Sequence, residues 1–209
     1  MKIGVIHETS AADRNADIIA ALEGRGHEIL NVGMKKGGEP PELQYIQTGL
    51  MTGLLLHLKR VDLVVGGCGT GQGYLNSAMQ YPGVFCGHIL TALDAWLFAQ
   101  INDGNCMSLM LNQGYGWAGD VNLRLIFDNL FTPEAGNGYP PHRAEPQREA
   151  RELLEQISHV AHRPLAEILL SLPEEVVRPA LTFRAFRPVL EEFAGADADI
   201  QSALLTLLR

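Results

Sequence analysis

The sequence predicts an α/β protein built on a doubly wound parallel sheet. Short apolar segments of strand length alternate with longer segments whose apolar residues recur at helical spacing, as in successive βαβ units. The first segment, residues 2–7, is almost continuously apolar, which is typical of a strand covered by helices on both faces. Functional residues are therefore expected beyond the carboxyl ends of the strands, where such sheets bind ligands.

Apolar runs bounded by glycine, proline or charged residues place the strands and helices. Five strands are predicted, at residues 2–7, 28–32, 62–66, 84–87 and 106–111. The helices that follow them are predicted at about residues 10–24, 42–59, 73–81, 90–101 and 117–131. Ser10 is expected to cap the first helix, and Pro82 ends the third because proline cannot continue a helix.

The strand–helix alternation stops after residue 131. Residues 132–146 are rich in glycine and proline and are predicted to form an ordered arm or linker. Short helices follow, and they are expected to be separated by Pro164, Pro173, Pro179 and Pro188. We therefore predict an α/β domain at residues 1–145 and a C-terminal helical extension at 146–209, whose role as a subunit contact or a lid is left open.

Composition excludes several classes of protein. The net charge of −8 argues against a nucleic-acid surface, which requires a basic stripe. No apolar run approaches the roughly 18 residues of a membrane helix, and the first residues are typical of a strand instead of a signal peptide. The three cysteines form no CxxC pair, so we expect a reduced, cytoplasmic protein without disulfides or a zinc site.

The clearest functional signal is the segment Val64-Val65-Gly66-Gly67-Cys68-Gly69-Thr70-Gly71-Gln72-Gly73. It is an apolar strand that runs into a turn of alternating glycines, which let the backbone approach a ligand closely. A P-loop would need lysine where Gln72 stands, and a dinucleotide fingerprint would need a different glycine spacing after the first strand. The favoured interpretation is Cys68 within a nest of backbone N–H groups that attracts an anion.

Four segments carry a resemblance to a known family. The loop Gly67–Gly73, the segment Pro82-Gly83-Val84 and the segment Asn102-Asp103-Gly104-Asn105 follow one another without a gap in spacing, and Lys2-Ile3-Gly4 also fits. Together they resemble the ribose-5-phosphate isomerase B and galactose-6-phosphate isomerase family, with its CGTGxG and HNDxN motifs. The resemblance covers about residues 1–150.

The resemblance implies a flavodoxin-like, Rossmann-like three-layer sandwich and a homodimer or higher homo-oligomer with shared active sites. It implies aldose–ketose isomerisation with no metal or organic cofactor. Cys68 would remove the C–H proton next to the carbonyl, with Thr70 and Glu8 also catalytic, and the amides of Gly69 and Gly71 would hold the enediolate. The implied substrate-binding residues are Thr9, Gly69, Gly71, Gly73, Asn102, Asn112, Arg143 and Arg148.

The chain departs from the family pattern where phosphate binding and ring opening are expected. Glu8-Thr9 stands where the family has Asp-His, Ile101 replaces the ring-opening histidine, and Asn112 replaces a phosphate-binding arginine. A pair of arginines near the C-terminus is matched by Arg143 and Arg148, which are five residues apart instead of four. Amide and hydroxyl contacts lack the charge-assisted strength of arginine and histidine, so the departures weaken the expectation of a phosphorylated substrate.

Three functions therefore stay open. The first is an aldose–ketose isomerase that acts on a sugar phosphate or related sugar through a cis-enediolate. The second is an isomerase of a non-phosphorylated 4-deoxy-5-keto-uronate, which would need no ring opener. The third is a non-catalytic sugar-binding protein of the same fold.

Other residues have structural interpretations that compete with a functional one. His7 and His88 end predicted strands at the ligand edge, and either could contact substrate or be structural. Asp103 is expected to brace its own turn. Packing roles are favoured for a further five residues: Tyr74, Cys86, Trp96, Cys106 and Trp117.

Overall fold

Five parallel strands form one sheet within residues 1–191 and 197–208, which are the residues that this computed structural model describes. The strands are β1 Lys2–His7, β2 Glu28–Asn31, β3 Leu63–Cys68, β4 Cys86–Ile89 and β5 Cys106–Met110. Their order in the sheet is β2-β1-β3-β5-β4. The predicted α/β sandwich with five parallel strands is confirmed, and its order exchanges only the last two strands of the flavodoxin arrangement.

Helices cover both faces of the sheet, which explains why β1 and β3 are buried along almost their whole length. One face carries α1 Asn15–Leu22, α4 Ala92–Leu97 and α5 Gly119–Phe131, and the other carries α2 Tyr45–His57 and α3 Gln72–Ala78. Val5 and Val65 lie in the first core, whereas Ile6 and Val64 lie in the second, because successive side chains of a strand point to opposite faces.

The C-terminal helices are α6 Ala144–Ala161, α7 Leu165–Ser171, α8 Glu174–Thr182, α9 Arg187–Leu190 and α10 Ala198–Leu207. The last four of them, α7 to α10, extend the second of these two cores, whereas the described residues of that core include none from α6. Leu169, Leu181 and Phe186 are buried in the same cluster as Leu50 and Leu54 of α2. The boundary at residue 146 stays a prediction, and the packing joins its two sides through a common hydrophobic core.

Pro179 does not divide the C-terminal helices, because it lies inside α8. A proline within a helix leaves the carbonyl four residues earlier without its N–H donor. That carbonyl belongs to Glu175, and the side-chain amide of Gln47 on α2 donates to it at 3.0 Å. Tertiary packing thus replaces the hydrogen bond that the proline removes.

Two other local expectations are wrong, and a third holds in part. Ser10 does not cap the first helix: Glu8 accepts a hydrogen bond from the Ser10 amide and begins a 3-10 turn, Thr9–Arg14, ahead of α1. Trp117 does not pack, because it precedes α5 and is 100% exposed. The packing role expected for Cys86 holds in part, because this residue is half-buried at the edge strand β4 and packs against the second core, whereas Cys106 is fully buried within it. No helix of the described ranges is both long enough and apolar enough to cross a membrane.

Candidate functional site

The glycine loop connects the carboxyl end of β3 to α3. Cys68 is the last residue of β3 and is 6% exposed, and its Sγ lies 4.0 Å from Oγ1 of Thr70. Gly71 adopts a left-handed conformation with φ of 77°, and a β-carbon at this position would lie 2.6 Å from Nε2 of His88. Only glycine therefore fits the last position before α3.

Two side chains of the neighbouring strands hold the carbonyl groups of this loop. Nε2 of His88 lies 3.0 Å from the Thr70 carbonyl, and Oγ of Ser108 donates to the Gly71 carbonyl at 2.5 Å. His88 and Ser108 are directly opposite each other in β4 and β5. A carbonyl only accepts, so Nε2 of His88 carries the proton of this bond. His88 thus contacts the loop itself, and its role there is to fix the turn.

The N–H groups of the loop divide into one that is occupied and two that are open. Gly69 donates its N–H to Oγ of Ser10 at 3.1 Å. The N–H groups of Thr70 and Gly71 have no acceptor among the residues that the structure describes. Oriented, unpaired N–H groups are the donors that stabilise a developing oxyanion. The nest predicted from the sequence therefore has fewer N–H groups available to an anion, because the N–H of Gly69 already donates to Ser10.

Glu8 and Asn112 approach the glycine loop from the ends of β1 and β5. Glu8 is 4% exposed, and both of its carboxylate oxygens accept hydrogen bonds from Ser10. Asn112 donates its side-chain amide to the Ser10 carbonyl at 2.5 Å and its backbone N–H to the Gly69 carbonyl at 3.0 Å. Thr9, which follows Glu8, is half-buried at the same edge. The structure thus connects Glu8 and Asn112 to the Cys68 loop through Ser10, whereas Thr9 donates its N–H to the Leu43 carbonyl at 3.0 Å.

Gly73 and Tyr74 serve packing at the start of α3. A β-carbon on Gly73 would lie 3.0 Å from the ring of Tyr45, so this glycine lets the helix approach α2. Tyr74 is completely buried, and its hydroxyl lies 2.5 Å from Oγ1 of Thr52 and 3.5 Å from Sγ of Cys106. Burial raises the pKa of Tyr74 well above its usual value.

His7 lies at the same end of the sheet but points into the core. Its side chain has no exposed surface, and Nδ1 lies 3.5 Å from the side-chain amide of Asn15. Burial lowers the pKa of His7 from 6.5 to about 3. The imidazole is therefore neutral at physiological pH and is separated from the surface where Cys68 and Thr70 lie.

Asn102 and Arg148 lie at the opposite edge of the sheet. Cys68 pairs with Met110 at the end of β5, whereas Asn102 precedes the start of that strand at Cys106. The five residues of β5 span about 13 Å, so Asn102 cannot meet Cys68 of its own chain. The sequence-predicted site residues thus form two groups, a loop group around Cys68 and a cavity group around Asn102.

The cavity group lines a cleft of about 650 Å³ between α6 and one turn of π-helix, Phe98–Asn102. Ile101, Asn102 and Arg148 contribute to its wall. Arg148 makes ion pairs with Glu145 and Glu152, and the hydrogen bond that it donates to the Glu145 carboxylate is the main cause that raises the pKa of Arg148. Arg143 is exposed in the turn Pro141–Arg143 and does not line the cleft, so the two predicted arginines are not brought together.

Asn105 joins two of the segments that carry the family resemblance, Pro82-Gly83-Val84 and Asn102-Asp103-Gly104-Asn105. Its Oδ1 accepts from the Phe85 amide at 2.9 Å, and its Nδ2 donates to the Gly83 carbonyl at 2.7 Å. Asp103, in the same segment, adopts φ of 46° and donates its N–H to the Phe98 carbonyl, which closes the π-helical turn. Both residues thus have structural roles beside Asn102.

The sequence interpretation missed three residues that shape these two regions. Ser10 was considered only as a helix cap, although it contacts Glu8, Gly69 and Asn112. Ser108 is the one polar side chain of β5, and a polar residue in a buried strand is a signal that could have found it. Arg151 donates to the carbonyl groups of Ile101 and Gly136 and so fastens α6 to the arm before it.

Comparison with known proteins identifies the family of the chain and supports its fold. The sequence model of the family described as Ribose/Galactose Isomerase matches residues 3–129. The fold matches a crystal structure of ribose-5-phosphate isomerase LacAB_rpiB from Vibrio parahaemolyticus, with 40% identity, a TM-score of 0.92 and 99% of each chain covered. It also matches a 4-deoxy-L-threo-5-hexosulose-uronate ketol-isomerase complexed with a tartrate, with 34% identity, a TM-score of 0.92 and coverage of 100% of this chain and 99% of that one.

A shorter relative shows the fold alone. Ribose-5-phosphate isomerase B of Clostridium thermocellum has 23% identity and a TM-score of 0.59, and it covers 75% of this chain and 99% of its own. No match was found among curated protein sequences.

The family match and the two relatives that cover nearly the whole chain define an enzyme of the sugar-isomerase class. The chain belongs to the ribose/galactose isomerase family, and it is accordingly an intramolecular oxidoreductase. The resemblance noted in the sequence is thereby confirmed.

Proposed function

We propose that this protein interconverts an aldose and a ketose through a cis-enediolate, with Cys68 as the base. The observation that carries the proposal is the pair of unpaired N–H groups, those of Thr70 and Gly71, in the turn that follows the buried Cys68. The Cys68 thiolate would take the proton from the carbon next to the carbonyl, and the electron pair would move onto the carbonyl oxygen. The open N–H groups would hold that oxyanion while the proton of the adjacent hydroxyl group passes to it, and Cys68 would then return its proton to the former carbonyl carbon, which leaves the new carbonyl at the adjacent position.

The substrate is a sugar phosphate or a related sugar, and a non-phosphorylated keto-uronate is the second candidate. One observation favours the uronate: Ile101 lines the cleft where the family resemblance places a ring-opening histidine, and an alkyl side chain cannot move a proton. An acyclic or easily opened substrate would not need a side chain that opens a sugar ring. The relatives with 40% and 34% identity include both a ribose-5-phosphate isomerase and a uronate ketol-isomerase, so similarity alone does not choose between them.

A second copy of the chain would complete the site. Asn102 and Arg148 lie at the sheet edge opposite Cys68, so they can join the loop group only from another subunit. Beside the cleft, α6 exposes an apolar stripe that a partner would cover: Leu153, Leu154, Ile157 and Val160. We therefore propose a homodimer, or a higher homo-oligomer, with shared active sites.

A substrate panel in deuterated water tests the proposal. Purified protein is incubated with ribose 5-phosphate, galactose 6-phosphate and 4-deoxy-5-keto-hexuronate, and product formation and deuterium at the carbon next to the carbonyl are followed by NMR. We expect turnover of one class with solvent deuterium incorporated, and a loss of at least about 1,000-fold in Cys68→Ala with the fold retained. Binding without turnover by the wild-type protein would instead establish the non-catalytic alternative.

A further inference from the structure

Ser10 connects three loops at the carboxyl edge of the sheet with its backbone and its hydroxyl group. Its N–H donates to Oε2 of Glu8 at 2.9 Å, and its Oγ donates to Oε1 of the same carboxylate. The same Oγ accepts the N–H of Gly69 at 3.1 Å, and the Ser10 carbonyl accepts from Nδ2 of Asn112 at 2.5 Å. Ser10 thus contacts the ends of β1, β3 and β5 at once.

The direction of each hydrogen bond follows from the donors present. The Gly69 N–H can only donate, so Oγ of Ser10 accepts that bond and directs its own hydrogen to Glu8. A hydrogen bond to a carboxylate is charge-assisted, and in a chain of hydrogen bonds each one strengthens the next. The buried Glu8 therefore makes Oγ of Ser10 a stronger acceptor for Gly69.

Gly69 transmits this contact to Cys68, whose carbonyl carbon is bonded to the Gly69 nitrogen. The Gly69 carbonyl is held as well, because it accepts from the backbone N–H groups of Asn112 at 3.0 Å and Gln113 at 2.9 Å. With both ends of Gly69 fixed, the Cys68 backbone before it and the open N–H groups after it have defined directions. Among the described residues, the Ser10 hydroxyl is the group that connects the Gly69 N–H to the Glu8 carboxylate.

We propose that Ser10 is a positioning residue through which the buried Glu8 orients Cys68 and the oxyanion-binding amides. This inference rests on the proposed isomerase function. Glu8 acts on the reaction through Ser10, because it is 4% exposed and both of its carboxylate oxygens accept hydrogen bonds from that residue. Glu8 is thus also a positioning residue, which changes the catalytic role expected for it from the sequence.

A double-mutant cycle tests the connection. Loss of a hydrogen bond to a charged group predicts that Ser10→Ala lowers kcat by about 10- to 100-fold, with KM changed by less than about threefold. Glu8→Gln keeps the shape of the side chain and should have a similar effect. The double variant should be no worse than the poorer single variant, because both changes break the same connection. Ser10→Thr keeps the hydroxyl and should recover most of the activity.

Two further measurements separate positioning from general destabilisation. Alkylation of Cys68 by iodoacetamide, followed by peptide mass spectrometry, should change in rate in Ser10→Ala and not in Ser10→Thr. The matched control is Ser171→Ala, whose hydroxyl donates to the Glu167 carbonyl at 2.7 Å on the exposed surface of α7, and it should leave all values unchanged. Additive losses in the double variant, or an unchanged kcat in Ser10→Ala, would overturn the inference.

Failure of the isomerase proposal can be distinguished from failure of the inference about Ser10. If wild-type protein turns over none of the substrates, the isomerase proposal fails, and the alkylation rates still report whether Ser10 and Glu8 act on Cys68 together. If Ser10→Ala does not fold, Ser10→Thr and Glu8→Gln provide the comparison on their own.

Discussion

Burial fixes the charge state of His7, the residue immediately before Glu8. The side chain is completely enclosed, its Nε2 has no partner among the described residues, and burial lowers its pKa to about 3. A buried imidazole without a charged partner is more stable in its neutral form. His7 therefore contributes packing at the end of β1, and the next residue, Glu8, is the one that is connected to the Cys68 loop, through Ser10.

The buried His7 predicts a loss of stability in acid. As pH falls below 6.5 the unfolded chain binds a proton at His7, while the folded protein does not until about pH 3. Stability is therefore lost as pH falls through this window, by up to about 1.4 kcal/mol per pH unit. Urea unfolding at about pH 7.5 and 5 should show a smaller pH dependence in His7→Asn than in the wild type. If the free energy of unfolding falls by the same amount between pH 7.5 and pH 5 in both proteins, groups other than His7 cause the acid sensitivity.

At the scale of elements, the hydrogen bonds of Asn105 set where β4 begins. The sequence predicts this strand at 84–87, and the structure places it at Cys86–Ile89. The Phe85 amide donates to the Asn105 side chain instead of to a neighbouring strand, which delays the ladder. This bond joins residues 20 positions apart, so the pattern of apolar residues along the sequence does not reveal it.

Asn105 is expected to stabilise the join between β4 and β5 rather than to bind substrate. Asn105→Ala removes bonds of 2.9 and 2.7 Å and leaves the Phe85 amide and Gly83 carbonyl without partners. We expect a loss of about 2–3 kcal/mol in the free energy of unfolding, measured with urea. Asn105→Asp, which keeps the acceptor, should lose less. The control is Asn129→Ala, whose half-buried side chain donates to the Leu125 carbonyl of its own helix at 2.9 Å.

Strand positions could be predicted from the sequence, because buried parallel strands are short apolar runs and their ends carry glycine or polar residues. The division of the site into two groups could also have been predicted: Asn102 precedes its strand and Cys68 ends one, and these positions lie at opposite edges of a parallel sheet. The role of Ser10 could not, because its bond to Gly69 joins residues 59 positions apart and depends on an exact approach of two loops.

At the scale of the whole molecule, the two groups predict complementation between subunits. Cys68→Ala removes the proposed base, and Asn102→Ala alters the cavity group at the far edge, so each variant alone should be inactive or weak. Co-expressed, they should form mixed dimers with one intact site, which restores about a quarter of wild-type activity for random pairing. Cys68→Ala with Thr70→Ala is the control, since both changes affect the loop group. Equal activity in the two mixtures would contradict a site shared between subunits.

The packing of α8 on α2 has a consequence for synthesis of the chain. Gln47 and Glu175 meet across 128 residues, and the core that surrounds α2 is closed by helices near the end of the sequence. At ordinary rates of translation, 128 residues take roughly 6–25 seconds to add. During that interval, the face of α2 that packs against α8 is exposed to solvent on the nascent chain. A stalled or truncated product would aggregate through this face.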